Sequence, residues 1–238
     1  MNIVIPMAGE GSRFRERGYS FPKPLIPVQN KTMIQVVVES LGITGRYVFL
    51  CRAEHLKAYA MEAMLKLFVK EFAIVEVPGL TEGAACTVLL AKELINTEDE
   101  LVIANSDQWI RWDPSRFLTY LRNEKADGGI VTFRSTHPKW SYAKLDPQEY
   151  AVTEVAEKVP ISNHATVGIY YFRQGRMFVQ GAEAMIRKNM RTNNEFYVCP
   201  VYNQLVTSGL KILHYPIEEM WGLGTPEDLE LFVRRKDL

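Results

Sequence analysis

Short apolar runs rich in β-branched side chains alternate, through the first half of the chain, with longer stretches whose apolar residues recur at helical spacing. The runs at Asn2–Pro6, Tyr47–Cys51, Ala73–Val77 and Leu101–Asn105 read as buried strands, and the stretches near Thr32–Leu41, Glu54–Lys70 and Gly83–Leu94 as helices. Strand and helix in regular turn predict a parallel sheet wound with crossover helices. Beyond Pro114 the pattern changes. A helix to about Lys125 precedes a strand at Gly128–Phe133, a hairpin-like region at Tyr142–Val155 and a strongly β run at Thr166–Phe172. A helix near Arg176–Asn189, a strand at Lys211–Tyr215 and a helix from about Thr225 follow, so the sheet is expected to become mixed. No internal repeat, low-complexity tract or linker interrupts the 238 residues, which suits one α/β domain.

Composition narrows the function by exclusion. Lys+Arg and Asp+Glu each total 28, the formal net charge is zero, and no run of like charge marks a nucleic-acid track or a membrane-binding face. The three cysteines, Cys51, Cys86 and Cys199, lie far apart without a CxxC pair, which fits a reducing, cytoplasmic setting. The four histidines show no zinc-binding spacing. No stretch reaches the roughly 18 apolar residues that span a bilayer, and Pro6 and the glycines break the first apolar run too early for a signal peptide. The four tryptophans read as packing or pocket walls.

The most informative chemistry follows the first strand. Ala8-Gly9-Glu10-Gly11-Ser12-Arg13-Phe14 is a glycine turn where backbone N–H groups can approach phosphate oxygens, with Arg13 adding a permanently charged donor fork. Lys23 stands between Pro22 and Pro24, which stiffen the segment presenting its ammonium. Phe14 replaces the third glycine of a dinucleotide fingerprint, and no GK[ST] ending marks a P-loop, so neither reading holds. A turn, one arginine and one rigid lysine predict a grip on the phosphates of a nucleoside triphosphate. After the fourth strand, Asn105-Ser106-Asp107 sits where open α/β sheets place ligands, and a carboxylate there could hold Mg²⁺.

Gly9-Glu10-Gly11-Ser12-Arg13-Phe14 with Pro22-Lys23-Pro24-Leu25 resembles the motif of the sugar-phosphate nucleotidyltransferases, the nucleotide-sugar pyrophosphorylase family. Glu157-Lys158-Val159-Pro160, continuing through Ser162-Asn163-His164-Ala165 to Gly168 and Tyr170, is similar to that family's EKP…SNxAxxGxYxF segment. Trp221-Gly222-Leu223-Gly224-Thr225-Pro226 resembles its W-x-D-x-GTP segment. The resemblance spans essentially the whole chain. It implies a Rossmann-like, GT-A-like fold, with a predominantly parallel mixed sheet flanked by helices. The nucleotide-binding part would cover about 1–125 and the acceptor-binding part about 126–238. It further implies transfer of a nucleoside monophosphate to a phosphorylated acceptor with release of pyrophosphate.

Under that resemblance Ala8, Gly9, Gly11, Ser12, Arg13 and Ser106 bind the nucleotide, with Glu82 and Gly83 against its base, and Asp107 holds Mg²⁺. Arg13, Lys23 and Asp107 are the catalytic candidates. Lys23, Glu157, Lys158, Asn163, His164, Gly168 and Glu195 are the acceptor candidates. One position departs from the pattern. Gly222 occupies the slot of a second aspartate, so either Asp107, phosphates and water hold the ion, or another acid such as Glu195 substitutes. Together with Asn194-Glu195-Phe196-Tyr197-Val198, this variant resembles a branch associated with bacterial capsule and surface-polysaccharide synthesis, where the phosphorylated acceptor need not be a sugar. CTP, UTP and dTTP stay open, with a lean to pyrimidines. A homo-oligomer, a cytidylyltransferase for a non-sugar phosphate, a related glycosyltransferase and a non-catalytic nucleotide-binding module also stay open.

Overall fold

In the computed structural model, which describes residues 1–235, the chain builds a nine-stranded mixed sheet with helices on both faces. In chain order the elements are β1 Asn2–Pro6, α1 Ser12–Glu16, β2 Pro27–Val28, β3 Lys31–Thr32, α2 Met33–Leu41, β4 Arg46–Arg52, α3 Ala53–Ala58, α4 Met61–Leu65 and β5 Phe72–Val77. They continue with α5 Ala84–Leu89, α6 Lys92–Ile95, β6 Leu101–Ala104, β7 Gln108–Arg111, α7 Pro114–Asn123, β8 Gly128–Arg134, β9 Ser141–Leu145, β10 Val152–Glu157 and β11 His164–Phe172. The last are α8 Gly175–Arg187, α9 Val201–Thr207, β12 Ile212–Pro216, β13 Glu219–Gly222 and α10 Pro226–Val233.

β6, β1, β4 and β5 lie parallel and side by side, as the first half of the sequence predicts. β11 then runs antiparallel to β6 on one side and to β8 on the other, and β9 and β10 form the hairpin at the far edge. The strands read as unbroken apolar runs because both faces are covered. Val4, Leu101 and Ile103 feed one core, whereas Ile3, Ile5, Val102 and Ala104 feed the other. Each valine, leucine or isoleucine among them, fully buried, contributes about 1.5–3 kcal/mol.

Two expected helices are broken. The segment 54–70 forms α3 and α4, separated at Ala60, whose φ is 46°. Leu56 and Met61 both pack against the same core, yet in one continuous helix residues five apart point about 140° apart, and the break lets both reach it. The segment 83–94 likewise divides into α5 and α6. The two-stranded pairing of β7 with β13 was not expected; it brings the C-terminal WGLGT segment beside the strand that follows Asp107. A third, small core of Phe14, Ile26, Val28, Met33, Leu223, Leu229 and Phe232 ties the glycine turn to α10. Phe14, the residue standing in for the missing glycine, is therefore an anchor: it is 1% exposed, with its ring edge-on to Tyr19 at 5.1 Å.

Candidate active site

The carboxyl ends of β1, β5 and β6 open into a cleft of about 560 Å³, and a smaller hollow of about 210 Å³ joins it at Lys23, Asn105, Asp107, Ser141, Glu157 and Tyr170. The turn after β1 forms one wall. Ala8, Gly9, Gly11 and Ser12 all line the cleft, and Gly11, with φ +61°, lets the chain turn sharply into α1. Arg13 lines the smaller hollow from an exposed position. The Pro-bounded segment reaches across, and the Lys23 ammonium forms an ion pair with the Asp107 carboxylate at the seam between the two spaces. Both side chains are about one quarter exposed, at 21% and 28%. Ser106 lines the cleft beside them.

The residues expected to hold the acceptor are not all brought together. Glu157 lines both spaces and is 8% exposed; burial pushes its carboxyl above the usual range, while the hydroxyl of Ser141, which donates to it, pulls the other way. Gly168 lines the smaller hollow and Glu195 the cleft. Lys158 does not reach either space: its Nζ donates to the Tyr197 hydroxyl at 2.6 Å and sits 4.6 Å from that ring's centre, so Tyr197 is the group presented to the cleft. Burial, with Glu195 beside it, pushes the Tyr197 phenol up. Asn163 and His164 lie elsewhere, in a separate hollow at the start of β11.

The turn at residues 82–83 also differs. Glu82 is exposed, and its carboxylate pairs with Arg191 instead of entering the cleft. Gly83 lines the cleft, but the space it leaves is filled by the protein itself: a Cβ there would meet the Phe196 backbone at 2.5 Å, at a φ of +127°. Phe196 N–H donates to the Glu82 carbonyl at 2.8 Å, and Ala85 N–H to the Phe196 carbonyl at 2.9 Å. The loop carrying Glu195 and Tyr197 is thereby fastened to the turn at Glu82–Ala85.

Gly222 faces a slot that is already occupied. A Cβ at this position would lie 2.9 Å from Trp140 Cη2 and 3.5 Å from an Asp228 oxygen, and Asp228 is held by Lys139 at 2.8 Å. Glu195 lines the cleft but not the smaller hollow where Asp107 and Gly222 meet, so it does not stand in the absent aspartate's place. Among the described residues no three His, Cys, Asp or Glu side chains gather as a metal cage. Asp107 alone still fits Mg²⁺, an ion that commonly takes one or two carboxylates and fills its octahedron with substrate phosphates and water.

Sequence reasoning passed over Ser141, Tyr170 and Tyr197 as site residues. Tyr170 and Tyr197 stand inside the stretches that carried the resemblance, and that position was the available sign. Trp140 reads from sequence as packing or a pocket wall, and Ser141 carries no sign.

The family model of nucleotidyl transferases matches residues 3–230. A nucleoside-diphosphate-sugar pyrophosphorylase from Vibrio cholerae RC9 superposes with a TM-score of 0.84 at 28% identity, covering 98% of this chain and 100% of that one. The low-salt glycan biosynthesis nucleotidyltransferase of Haloferax volcanii is 26% identical over 96% of this chain and 64% of its own length. The mannose-1-phosphate guanylyltransferase catalytic subunit beta of Drosophila pseudoobscura pseudoobscura is 28% identical over 71% of this chain and 47% of its own. The matched stretch is about half the length, or less, of the first curated relatives. With the match running through the glycine turn, Lys23, Asp107 and the strands of both hollows, the chain belongs to the nucleotidyl transferase family.

Proposed function

We propose that this chain transfers a nucleoside monophosphate from a nucleoside triphosphate to the phosphate of a small acceptor, a sugar phosphate foremost, with release of pyrophosphate. The observation that carries the reading is the Lys23–Asp107 pair at the seam of two joined spaces that together have room for a nucleotide and a compact phosphorylated partner. The proposed reaction is a direct displacement. An acceptor phosphate oxygen forms a bond to the α-phosphorus as the bond from that phosphorus to the pyrophosphate oxygen breaks, and the electron pair leaves with pyrophosphate. No protein nucleophile is required, so the protein's task is to position two anions and balance charge as it shifts between them.

In this reading Arg13 holds the departing pyrophosphate, Lys23 bridges acceptor phosphate and α-phosphate, and the backbone of Ala8–Ser12 cradles the triphosphate. Glu157 and Tyr197 would accept and donate hydrogen bonds to the acceptor's hydroxyls. Asp107 would hold Mg²⁺, whose chemistry when bound is to neutralise phosphate charge. The base is proposed to be a pyrimidine. The role proposed is nucleotide-sugar supply for surface glycans, in keeping with the glycan-biosynthesis relative, and the setting the cytoplasm; no helix among the described residues is long and apolar enough to cross a membrane.

Pyrophosphate release, followed with each triphosphate, Mg²⁺ and a panel of sugar phosphates and non-sugar phosphates, tests the reading. Release that depends on one acceptor and one base supports it. Tight nucleotide binding without release under any acceptor would leave a binding module in its place.

A further inference from the structure

The sequence placed Asn163 and His164 in the acceptor site, but the fold carries them to a second hollow of about 550 Å³ that shares no lining residue with the cleft or its side chamber. It forms where four strands of the mixed half come together. Arg134 closes β8 opposite His164 at the start of β11, His214 lies on β12, and Lys144 near the end of β9 faces them before the turn that carries Tyr150.

The lining carries two cations, Arg134 and Lys144, against one acid, Asp146. Arg134 makes no salt bridge among the described residues, and the Lys144 ammonium has only Glu154, at 3.9 Å. Asp146, the acid in the lining, is turned to its own backbone, accepting from the N–H groups of Gln148 and Glu149 at 2.8 and 2.9 Å. The rings of His164 and His214 meet edge to face, their centres 5.1 Å apart, and His214 Nδ1 lies 3.2 Å from the Thr132 hydroxyl. Burial, then the neighbouring His164 and Arg134, push His214 down to about 4, and burial with Arg134 lowers His164 as well. Burial is the leading cause for both rings, and the Arg134 guanidinium beside them adds to it. Leu145, Pro147 and an exposed Tyr150 supply apolar walls.

We propose that this hollow is a second ligand site, taking a small organic phosphate that carries a flat ring. Its volume falls within the range of small-molecule sites. The Arg134 fork, the Lys144 ammonium, the Asn163 amide and two imidazole N–H groups offer more donors than a carboxylate accepts comfortably, and they suit the three oxygens of a phosphate ester. The apolar walls and exposed Tyr150 suit a planar group. A bound dianion stabilises imidazolium, so binding takes up protons and tightens as pH falls toward the ordinary histidine range.

Imidazole resonances of the full chain report on this directly, because His55 and His137 lie outside the hollow and serve as internal controls. Phenyl phosphate is the probe, with inorganic phosphate and phenol as its separate halves. The expected result is a saturable shift confined to His164 and His214, a rise in the pH at which both titrate, and weaker shifts with either half alone. Arg134→Gln and Lys144→Gln, both exposed positions, should each weaken phenyl phosphate by about tenfold, the loss of one charge-assisted contact, while pyrophosphate release without the probe stays unchanged. No saturable shift up to about 10 mM phenyl phosphate, or equal binding by Arg134→Gln, would overturn the proposal. Because none of these residues lines the cleft, that outcome leaves the transferase reading where it stands.

Discussion

Replacing Lys23 by alanine separates a catalytic charge from a structural one, because the two roles predict losses of very different size. As a structural ion pair, Lys23–Asp107 is about one quarter exposed on each side, and a pair that water can reach is worth about 1 kcal/mol or less. For a chain of this length that corresponds to a fall in Tm of about 2–4 °C. As the cation beside the transferring phosphoryl group, Lys23 acts where charge develops, and removing one such group costs about 2–4 kcal/mol of transition-state stabilisation. Turnover should therefore fall about 30- to 1,000-fold. Acceptor-dependent pyrophosphate release gives kcat, calorimetric titration gives nucleotide affinity, and a thermal scan gives the structural loss, all on one preparation. Turnover within about threefold of wild type with nucleotide binding intact would refute the role, since that is under 1 kcal/mol of barrier. A Tm lower by about 10 °C would instead assign the pair to stability.

Gly83→Ala should cost more than about 3 kcal/mol in denaturant unfolding, because it combines a strained φ with a Cβ driven into the Phe196 backbone; a loss under about 1 kcal/mol would mean that the turn yields easily. Gly222→Asp, which restores the family's acid by letter, should not tighten Mg²⁺ in a metal titration and should lower stability by about 1–3 kcal/mol, since Trp140 and Asp228 already fill the slot. Glu157→Gln is expected to raise stability at neutral pH. Burial holds this carboxyl above its ordinary value, so the folded protein binds the proton more tightly than the unfolded chain, and stability falls as pH rises through the interval between the two values. Variant and wild type should thus unfold alike near about pH 4 and diverge in the variant's favour by about pH 8, while the acceptor's KM rises about tenfold.

The strands of the parallel half were legible because burial on both faces writes itself as continuous β-branched runs, and the observed bounds differ from the expected ones by a residue or two. Thr32 and Thr225, expected as first residues of helices, are their N-caps, each accepting from the backbone N–H three residues on. Less visible was α9: Val201–Thr207 is short, rich in β-branched residues and poor in helix formers, and packing against α8 and β10 holds it in place of propensity. The β7–β13 pairing was invisible for another reason. A strand of four residues whose partner lies a hundred positions away leaves no local period to read. In the site, residues presented by the glycine turn and by the end of β6 line the two joined spaces, since their local conformation is set by their own neighbours. Asn163, His164 and Lys158 fall outside the two joined spaces because motif order says which residues are near in sequence, whereas the pairing of β11 with β8 sets His164 opposite Arg134, and Lys158, at a φ of 58°, gives its ammonium to Tyr197.

The same distinction explains why the two halves of the site are not independent. Glu195 and Tyr197 face the cleft on either side of Phe196, whose ring is buried and whose backbone is fastened through both its N–H and its carbonyl to the turn at Glu82–Ala85. Arg191 repeats the fastening from the side, pairing with Glu82, donating to the Asn194 carbonyl and lying 4.1 Å from the Phe196 ring centre. Gly83 is the one residue type that permits so close an approach at this φ. A displacement of the turn at Glu82–Ala85 must therefore carry the loop at Glu195–Tyr197 with it, because sliding one past the other would leave a backbone donor and acceptor unpaired at about 1–3 kcal/mol each. Glu82 touches the cleft only through this connection, its carboxylate being held outside by Arg191.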